Sequence, residues 1–289
     1  MTARRRVERI CTALVAEGGG MRGIFTAGVL DVFLEHDFDP FDIYIGVSAG
    51  ACNLSSHLAG QHRRNFRVIT NLMTRPAFIS RKKFLSGGHM MDLDYLWDAM
   101  REEEPLDVER IISNRRKKFV IVATSVETGG PHYLEPTKED CLICLKASSA
   151  VPLLYRGFVA LRGSRMVDGG VSDPIPAREA YRRGARRIVV IRTRPLDYTK
   201  TKGFENYISS FATRQWPRLS RAILNQADAY RQCVAFICNP PGDADICQIA
   251  PAAPLKSTRT TRDRDLLLAD YENGRRAGEE FIRNRTPLK

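Results

Sequence analysis

The stretch Asp42-Ile-Tyr-Ile-Gly-Val-Ser-Ala-Gly50 decides the fold. Mostly apolar residues run from Asp42 to Ile45 into Gly46-Val47-Ser48-Ala49-Gly50, and helix-compatible sequence follows to Ala59. The G-x-S-x-G pattern sets a serine on a strained turn between strand and helix, with its hydroxyl exposed at the strand's end. The flanking glycines are needed because a side chain would crowd both the turn and an incoming substrate. Such a pattern carries meaning only with the strand and helix around it, and both are present here. Ser48 is therefore the candidate nucleophile.

Upstream, Ile10 to Ala16 is a short apolar run ending in turn residues, which predicts a buried strand. Glu17-Gly18-Gly19-Gly20-Met21-Arg22-Gly23 follows, and apolar residues then recur at helical spacing from Ile24 to Glu35. This βαβα opening implies a parallel sheet covered by helices. Downstream, strands are predicted over Phe119–Ser125 and Arg187–Ile191, with a short returning strand over Pro131–Pro136. A hairpin is predicted about Arg162-Gly163-Ser164, and another strand near Ile246 to Ile249. Helices are expected over Asp140–Ala147, Pro176–Arg183, 204–212, 216–235 and 262–284. The stretch 61–105 mixes arginines and lysines with Phe66, Met73, Phe78, Met91 and Trp97. Ordinary packed helices and loops explain it better than an active-site cover for an acyl chain.

Bulk properties bound the function. The 289 residues are 43% hydrophobic, enough for a sizeable core, and no internal repeat or linker interrupts them. The formal net charge of +12 admits an anionic membrane surface or an acidic ligand as well as a plainly solvated basic exterior. The basic residues are dispersed and match no nucleic-acid reader, so nucleic acid is not expected as a partner. Seven cysteines at irregular spacing read as free thiols in a reducing compartment. Cys141 and Cys144 form a lone C-x-x-C inside a predicted helix, with no second pair or nearby histidine, so no metal site is expected. Met1-Thr-Ala-Arg-Arg-Arg6 is basic but precedes no long apolar region, and no stretch is long enough to span a membrane. A cytoplasmic protein is expected, with peripheral contact at the inner membrane face suggested by the charge.

Gly18-x-Gly20-x-x-Gly23 matches the dinucleotide-binding fingerprint letter for letter. That use needs an acidic residue at the end of the second strand, where Gly46-Val47-Ser48 stands instead. A phosphate-cradling P-loop would end in Gly-Lys-Ser/Thr, which is missing. A third use is as an oxyanion hole, with side-chain-free amides at a helix N-terminus pointing at a developing negative oxygen. Only this use calls for a nucleophile on the neighbouring strand. A serine hydroxyl also needs a proton acceptor. The α/β-hydrolase order runs serine, acid, histidine. All five histidines (36, 57, 62, 89 and 132) precede Asp168, so that order cannot be completed. His57 should lie about two turns from the nucleophile, as a surface residue. Asp168, ahead of Gly169 and Gly170, is the candidate carboxylate; taken alone, it reads better as a turn aspartate bonding its own backbone.

Four segments together resemble the patatin-like phospholipase family. They are Gly18-Gly-Gly-Met21-Arg22-Gly23, Gly46-Val47-Ser48-Ala49-Gly50, Ala147-Ser-Ser-Ala-Val-Pro152 and Asp168-Gly169-Gly170. The resemblance covers about residues 10 to 195, and no motif is matched beyond about residue 200. It implies a Rossmann-like three-layer α/β/α sandwich with a mainly parallel central sheet. It also implies a serine acyl hydrolase of phospholipid, lysophospholipid or neutral-lipid esters that needs no cofactor. By resemblance Ser48 is the nucleophile, Asp168 the general base, and the amides of Gly18, Gly19 and Gly20 the oxyanion hole. Arg22 matches the basic position of the glycine loop, bracing it or meeting a phosphate. The expected organisation is a basic tail at 1–9, a catalytic core at 10–195, and a mainly helical part at 196–289 packed on the same domain. The competing readings are a nucleotide-binding protein using Gly18–Gly23 and a soluble carboxylesterase not specific for lipids.

Overall fold

Eight strands form one mixed sheet in this computed structural model, which describes residues 10–201 and 203–284. The expected tail at 1–9 lies outside the described residues. In chain order the strands are β1 (Thr12–Ala16), β2 (Ile43–Val47), β3 (Lys118–Ser125), β4 (Pro131–Leu134), β5 (Val159–Leu161), β6 (Ser164–Asp168), β7 (Arg187–Ile191) and β8 (Asp245–Ile249). The run β3-β2-β1-β7-β8 is parallel throughout. β4 and β6 join β3 antiparallel, and β5 pairs with β6.

Helices cover both faces. The first half of the chain forms α1 (Gly23–Glu35), α2 (Ala49–Leu58), α3 (Arg64–Arg67), α4 (Arg81–Leu85), α5 (Leu93–Glu103) and α6 (Val108–Ser113). The second half forms α7 (Cys141–Ser149), α8 (Ala177–Arg182), α9 (Phe204–Ala212), α10 (Pro217–Leu224), α11 (Gln226–Cys238) and α12 (Arg264–Asn284). The strands read as continuous apolar runs because both faces are buried. Leu14, Tyr44, Ile121 and Val189 share one core with α1, α2, α7 and α12. Their neighbours Ala13, Val15, Ile45, Val122 and Val190 share the opposite core with α8 and α11. The result is the three-layer α/β/α arrangement expected. The helix anticipated over 216–235 is divided at Asn225 into α10 and α11.

The registers around β3 position the site. Ile121–Thr124 pair with β4, and each residue has only two edges. Val122 also pairs with Val47 of β2, while Ala123 also pairs with Asp168 of β6. β2 and β6 therefore share the other edge of β3, running toward each other and meeting where β2 ends. Ser48, just past Val47, is thereby brought up against Asp168.

The C-terminal part is built into the same layers. β8 extends the sheet beside β7, and α12 lies directly on α1. The two helices approach so closely that a Cβ on Gly274 would stand 2.1 Å from the Phe25 carbonyl oxygen, and one on Gly28 2.3 Å from that of Tyr271. Tyr271 donates to buried Asp31 (2.8 Å), and Arg275 forks onto Glu35 (2.7 and 2.8 Å). A Gly274→Val substitution must push the helices apart. It is expected to lower stability by about 2 kcal/mol or more, the upper range for overpacking. Urea denaturation measures this, and an unchanged midpoint would contradict the packing.

Candidate active site

Ser48 sits between the last residue of β2 and the first of α2, with φ 54° and ψ −124°. A non-glycine residue in this region carries of order 1–3 kcal/mol of strain, held in place by its surroundings. Those surroundings are tight. A Cβ on Gly50 would stand 2.4 Å from the Ala16 carbonyl oxygen, so α2 can start only if that position has no side chain. The backbone N–H of Ser48 donates to Ser148 Oγ (2.7 Å), whose hydroxyl donates in turn to the Val122 carbonyl (2.6 Å). Ser148 lies in the last turn of α7 and is fully buried, so it ties the serine turn to β3. It falls within the Ala147–Pro152 motif, but nothing in its spacing showed what it would touch.

Asp168 closes the other side. Its carboxylate accepts from the N–H of Gly170 (2.7 Å) and borders the same cavity as Ser48. The turn-aspartate reading therefore holds. Its own N–H donates to Ala150 (3.0 Å), and its carbonyl accepts from Thr124 Oγ1 (2.9 Å). Gln226 Nε2 on α11 holds the Gly170 carbonyl at 2.7 Å. Burial pushes the Asp168 carboxyl above the usual carboxylate range, against the lowering influence of Ser48, Gly170, Arg259 and Lys200.

The glycine loop passes over the same point. The amides on either side of it are used: Glu17 donates to Ile191 (3.0 Å), Met21 to Arg259 (3.2 Å) and Arg22 to Gly19 (3.3 Å). Those of Gly18, Gly19 and Gly20 have no acceptor among the described residues, and all three glycines line the cavity that holds Ser48 and Asp168. Two residues the sequence did not single out support the loop. Buried Glu17 accepts from the Thr193 N–H (2.7 Å), and Thr193 Oγ1 donates to the Gly18 carbonyl (3.1 Å).

Two unlike spaces meet at Ser48. One is polar and lined by Arg22, Arg194, Lys200 and Arg259 together with Gln226 and Tyr198. Arg22 is 8% exposed, and its Nε has no hydrogen-bond partner among the described residues. Burial, then the facing Arg194 and Arg259, brings its pKa down to about 10. Burial, then Arg259, brings Lys200 down to about 8. The other space is apolar and lined by Val68, Ile69, Met73, Phe78, Leu96 and Trp97. The stretch 61–105, read as ordinary packing, thus forms a wall beside Ser48.

No histidine borders either space. His57, expected at the surface, is 4% exposed and packs near Tyr44, its Nε2 3.8 Å from Asp39. None of the seven cysteines is in a disulfide. Cys141 and Cys144 are buried in α7, and burial pushes both thiols up to about 12. No cluster of metal-ligating side chains occurs among the described residues, and no described helix is long and apolar enough to cross a membrane.

Residues 14–181, more than half of the chain, match the patatin-like phospholipase family model. The chain belongs to the patatin-like phospholipase family. It is thus a hydrolase acting on ester bonds, with lipid acyl hydrolysis as its family-level activity. Residues 216–286 match a second model, a domain of unknown function designated DUF6363, in the part where the sequence showed no motif. Uncharacterized protein YjjU of Escherichia coli strain K12 is 39% identical over 273 residues, spanning 93% of this chain and 76% of that protein. Similar solved structures include VipD from Legionella pneumophila (TM-score 0.45, 12% identity, 95% of this chain and 67% of that one). Human GIVD cytosolic phospholipase A2 is another (TM-score 0.46, 13% identity, 95% and 59%).

In this patatin-like chain the Ser148 bridge gives a direct test. Ser148→Ala leaves the Ser48 N–H and the Val122 carbonyl buried without partners, which costs about 1–3 kcal/mol. A matching fall in the denaturation midpoint is expected, together with slower labelling of Ser48 by a fluorophosphonate. Wild-type labelling kinetics in the variant would refute a positioning role.

Proposed function

We propose that this protein cleaves fatty-acyl esters of phospholipids or lysophospholipids through a Ser48–Asp168 dyad, with the Gly18, Gly19 and Gly20 amides as oxyanion hole. The observation that carries the reading is that the strand registers bring buried Asp168 and Ser48 to one cavity, beside three successive glycine amides with no acceptor among the described residues. Ser48 Oγ attacks the ester carbonyl carbon while its proton passes to Asp168. The tetrahedral oxyanion is held by the glycine amides; one such donor is worth about 10²–10³ in rate. Asp168 then gives the proton to the departing alcohol as the C–O bond breaks, leaving an acyl-serine. A water then attacks the acyl carbon as it loses its proton to Asp168, and Asp168 returns that proton to Ser48 Oγ as the acyl–oxygen bond breaks and the fatty acid leaves. No step requires a metal or an organic cofactor.

The two spaces support an amphipathic substrate. Each methylene transferred from water into the apolar space contributes about 0.8 kcal/mol, which draws the acyl chain to the Val68–Trp97 side. The alcohol side then faces Arg22, Arg194, Lys200 and Arg259, a chamber suited to an anionic headgroup. Residues 10–195 supply the chemistry, and the part from 196 onward packs on the same domain and furnishes Lys200 and Arg259. A neutral soluble ester would engage only half of this cavity. A nucleotide in the glycine loop would have to displace the contact with Ser48.

Ser48→Ala is expected to abolish acyl-enzyme formation, and Asp168→Asn to lower kcat by about 10² to 10⁴, the usual contribution of a positioned base. Product analysis on phospholipid, lysophospholipid and triglyceride substrates measures both, and a fully active Asp168→Asn enzyme would sink the dyad. The pH profile carries a second signature. Asp168 acts as base only when deprotonated, and burial raises its pKa, so activity should fall on acidification at a pH above the ordinary aspartate range. Lys200 loses its charge as pH rises through about 8. An ester with an anionic headgroup should therefore show an added rise in KM near pH 8 that a neutral ester lacks. Lys200→Arg should remove that rise; identical profiles for the two esters would exclude Lys200 from headgroup binding.

A further inference from the structure

α9 carries its apolar residues on the wrong side for a core helix. Phe204 is 78% exposed, Tyr207 56%, Ile208 40% and Phe211 68%. Their spacing of three, four and seven residues places all four on one face of the helix. The opposite face carries Glu205, Asn206 and Ser209, which line the polar chamber beside Ser48. Asn206 fixes that face by donating to the Ile223 carbonyl (3.0 Å) and to Gln226 Oε1 (3.2 Å). Ser210, in hydrogen-bonding contact with Ser220 (2.6 Å), ties α9 to α10. α9 is therefore a wall with the candidate catalytic chamber on one side and four exposed apolar side chains on the other.

We propose that α9 is an interfacial docking helix, and that its partner is the surface of an anionic lipid bilayer. Charge decides the occupant. Arg214 lies over the Phe211 ring at 4.4 Å, so a cation borders the apolar face directly. In the segment that follows α9, Arg214, Arg218 and Arg221 are all exposed, with no acidic residue among them. A second copy of a chain of net charge +12, seated on this face, would bring like charges together. An anionic bilayer accepts the aromatic and aliphatic side chains at its acyl boundary while its headgroups meet the arginines. Docked this way, the chamber wall lies at headgroup level, and a substrate lipid has a short path to Ser48. This rests on the acyl-hydrolase reading for its purpose, but not for its geometry.

The test uses the full chain as Ser48→Ala, so that vesicles are not consumed during measurement. Co-sedimentation with phosphatidylglycerol/phosphatidylcholine vesicles is expected, with binding weakened at high salt as the cations are screened. The double substitution Phe204→Ser/Phe211→Ser, in the same background, is expected to weaken it about tenfold or more, as loss of inserted apolar area requires. Thermal unfolding should be unaltered, because both side chains are exposed. Failure of the Ser48→Ala protein to sediment, or equal binding by the Phe-substituted form, overturns the proposal. So does a concentration-dependent dimer that the double substitution dissolves, since the face would then belong to a second copy. Fluorophosphonate labelling of wild-type Ser48 in vesicle-free solution reports separately on the acyl-hydrolase reading, which can fail or hold whatever the vesicles do.

Discussion

The meeting of β2 and β6 on one edge of β3 is the constraint on which the rest depends. A parallel strand and an antiparallel strand cannot both occupy the same stretch of edge, so each must stop where the other begins. They stop between Val122, opposite Val47, and Ala123, opposite Asp168. The chain must then turn away at once on both sides of the junction. On one side it does so through the strained backbone of Ser48 and the close approach of Gly50 to Ala16. On the other, a Cβ on Gly169 would stand 2.1 Å from the Val122 carbonyl oxygen, so only glycine can follow Asp168. That same carbonyl accepts the Ser148 hydroxyl, and Ser148 accepts the Ser48 N–H. The backbone hydrogen bonds that two colliding strand ends forfeit are thus recovered by one buried side chain, as the interior requires.

On the proposed Ser48–Asp168 reading, doing without histidine changes the electrostatic requirement. An exposed aspartate is a poor base at neutral pH, because its proton affinity is too low. Burial is the available means of raising it, and burial is the largest influence on Asp168. Four cations line the adjoining chamber, and two of them, Arg259 and Lys200, act on Asp168 in the opposite sense. Burial prevails over both, so the Asp168 carboxyl stays raised beside four cations. Burial first, and then repulsion among the cations, lowers Arg22 and Lys200. An anion entering the chamber would relieve that repulsion.

Much of this was legible because the determinants are local. Apolar runs bounded by glycines marked β1, β2, β3 and β7, and the order of four short motifs marked the family. The histidine positions alone excluded a hydrolase triad ending in His. What was not legible depends on contacts between distant positions. Ser148 meets Ser48 across 100 residues, and Thr193 meets Glu17 across 176. Neither residue differs in type from an ordinary buried serine or threonine. His57 was misjudged as a surface residue because α2 is covered on more sides than its sequence pattern indicates. Arg194, Lys200 and Arg259 looked like three members of a dispersed basic surface. Only the fold, by returning the chain to the glycine loop, gathers them with Arg22.

The division of the cavity follows from where its walls come from. Glycine loop, serine turn and aspartate turn arise from the ends of β1, β2 and β6, and their positions are fixed by sheet hydrogen bonds. The apolar wall comes from 64–100 and the cationic wall from 194–259, two segments attached to the sheet on either side. Among the described residues the two spaces share Ser48, Gly20, Val151 and Arg259, which border both. Arg259 holds the glycine loop through its carbonyl while its side chain faces the chamber. A ligand that draws the Arg259 guanidinium toward itself pulls on the same residue that positions Met21 and, through it, the three open amides. If the proposed function holds, headgroup recognition and oxyanion geometry would be joined through Arg259, a residue of the C-terminal part.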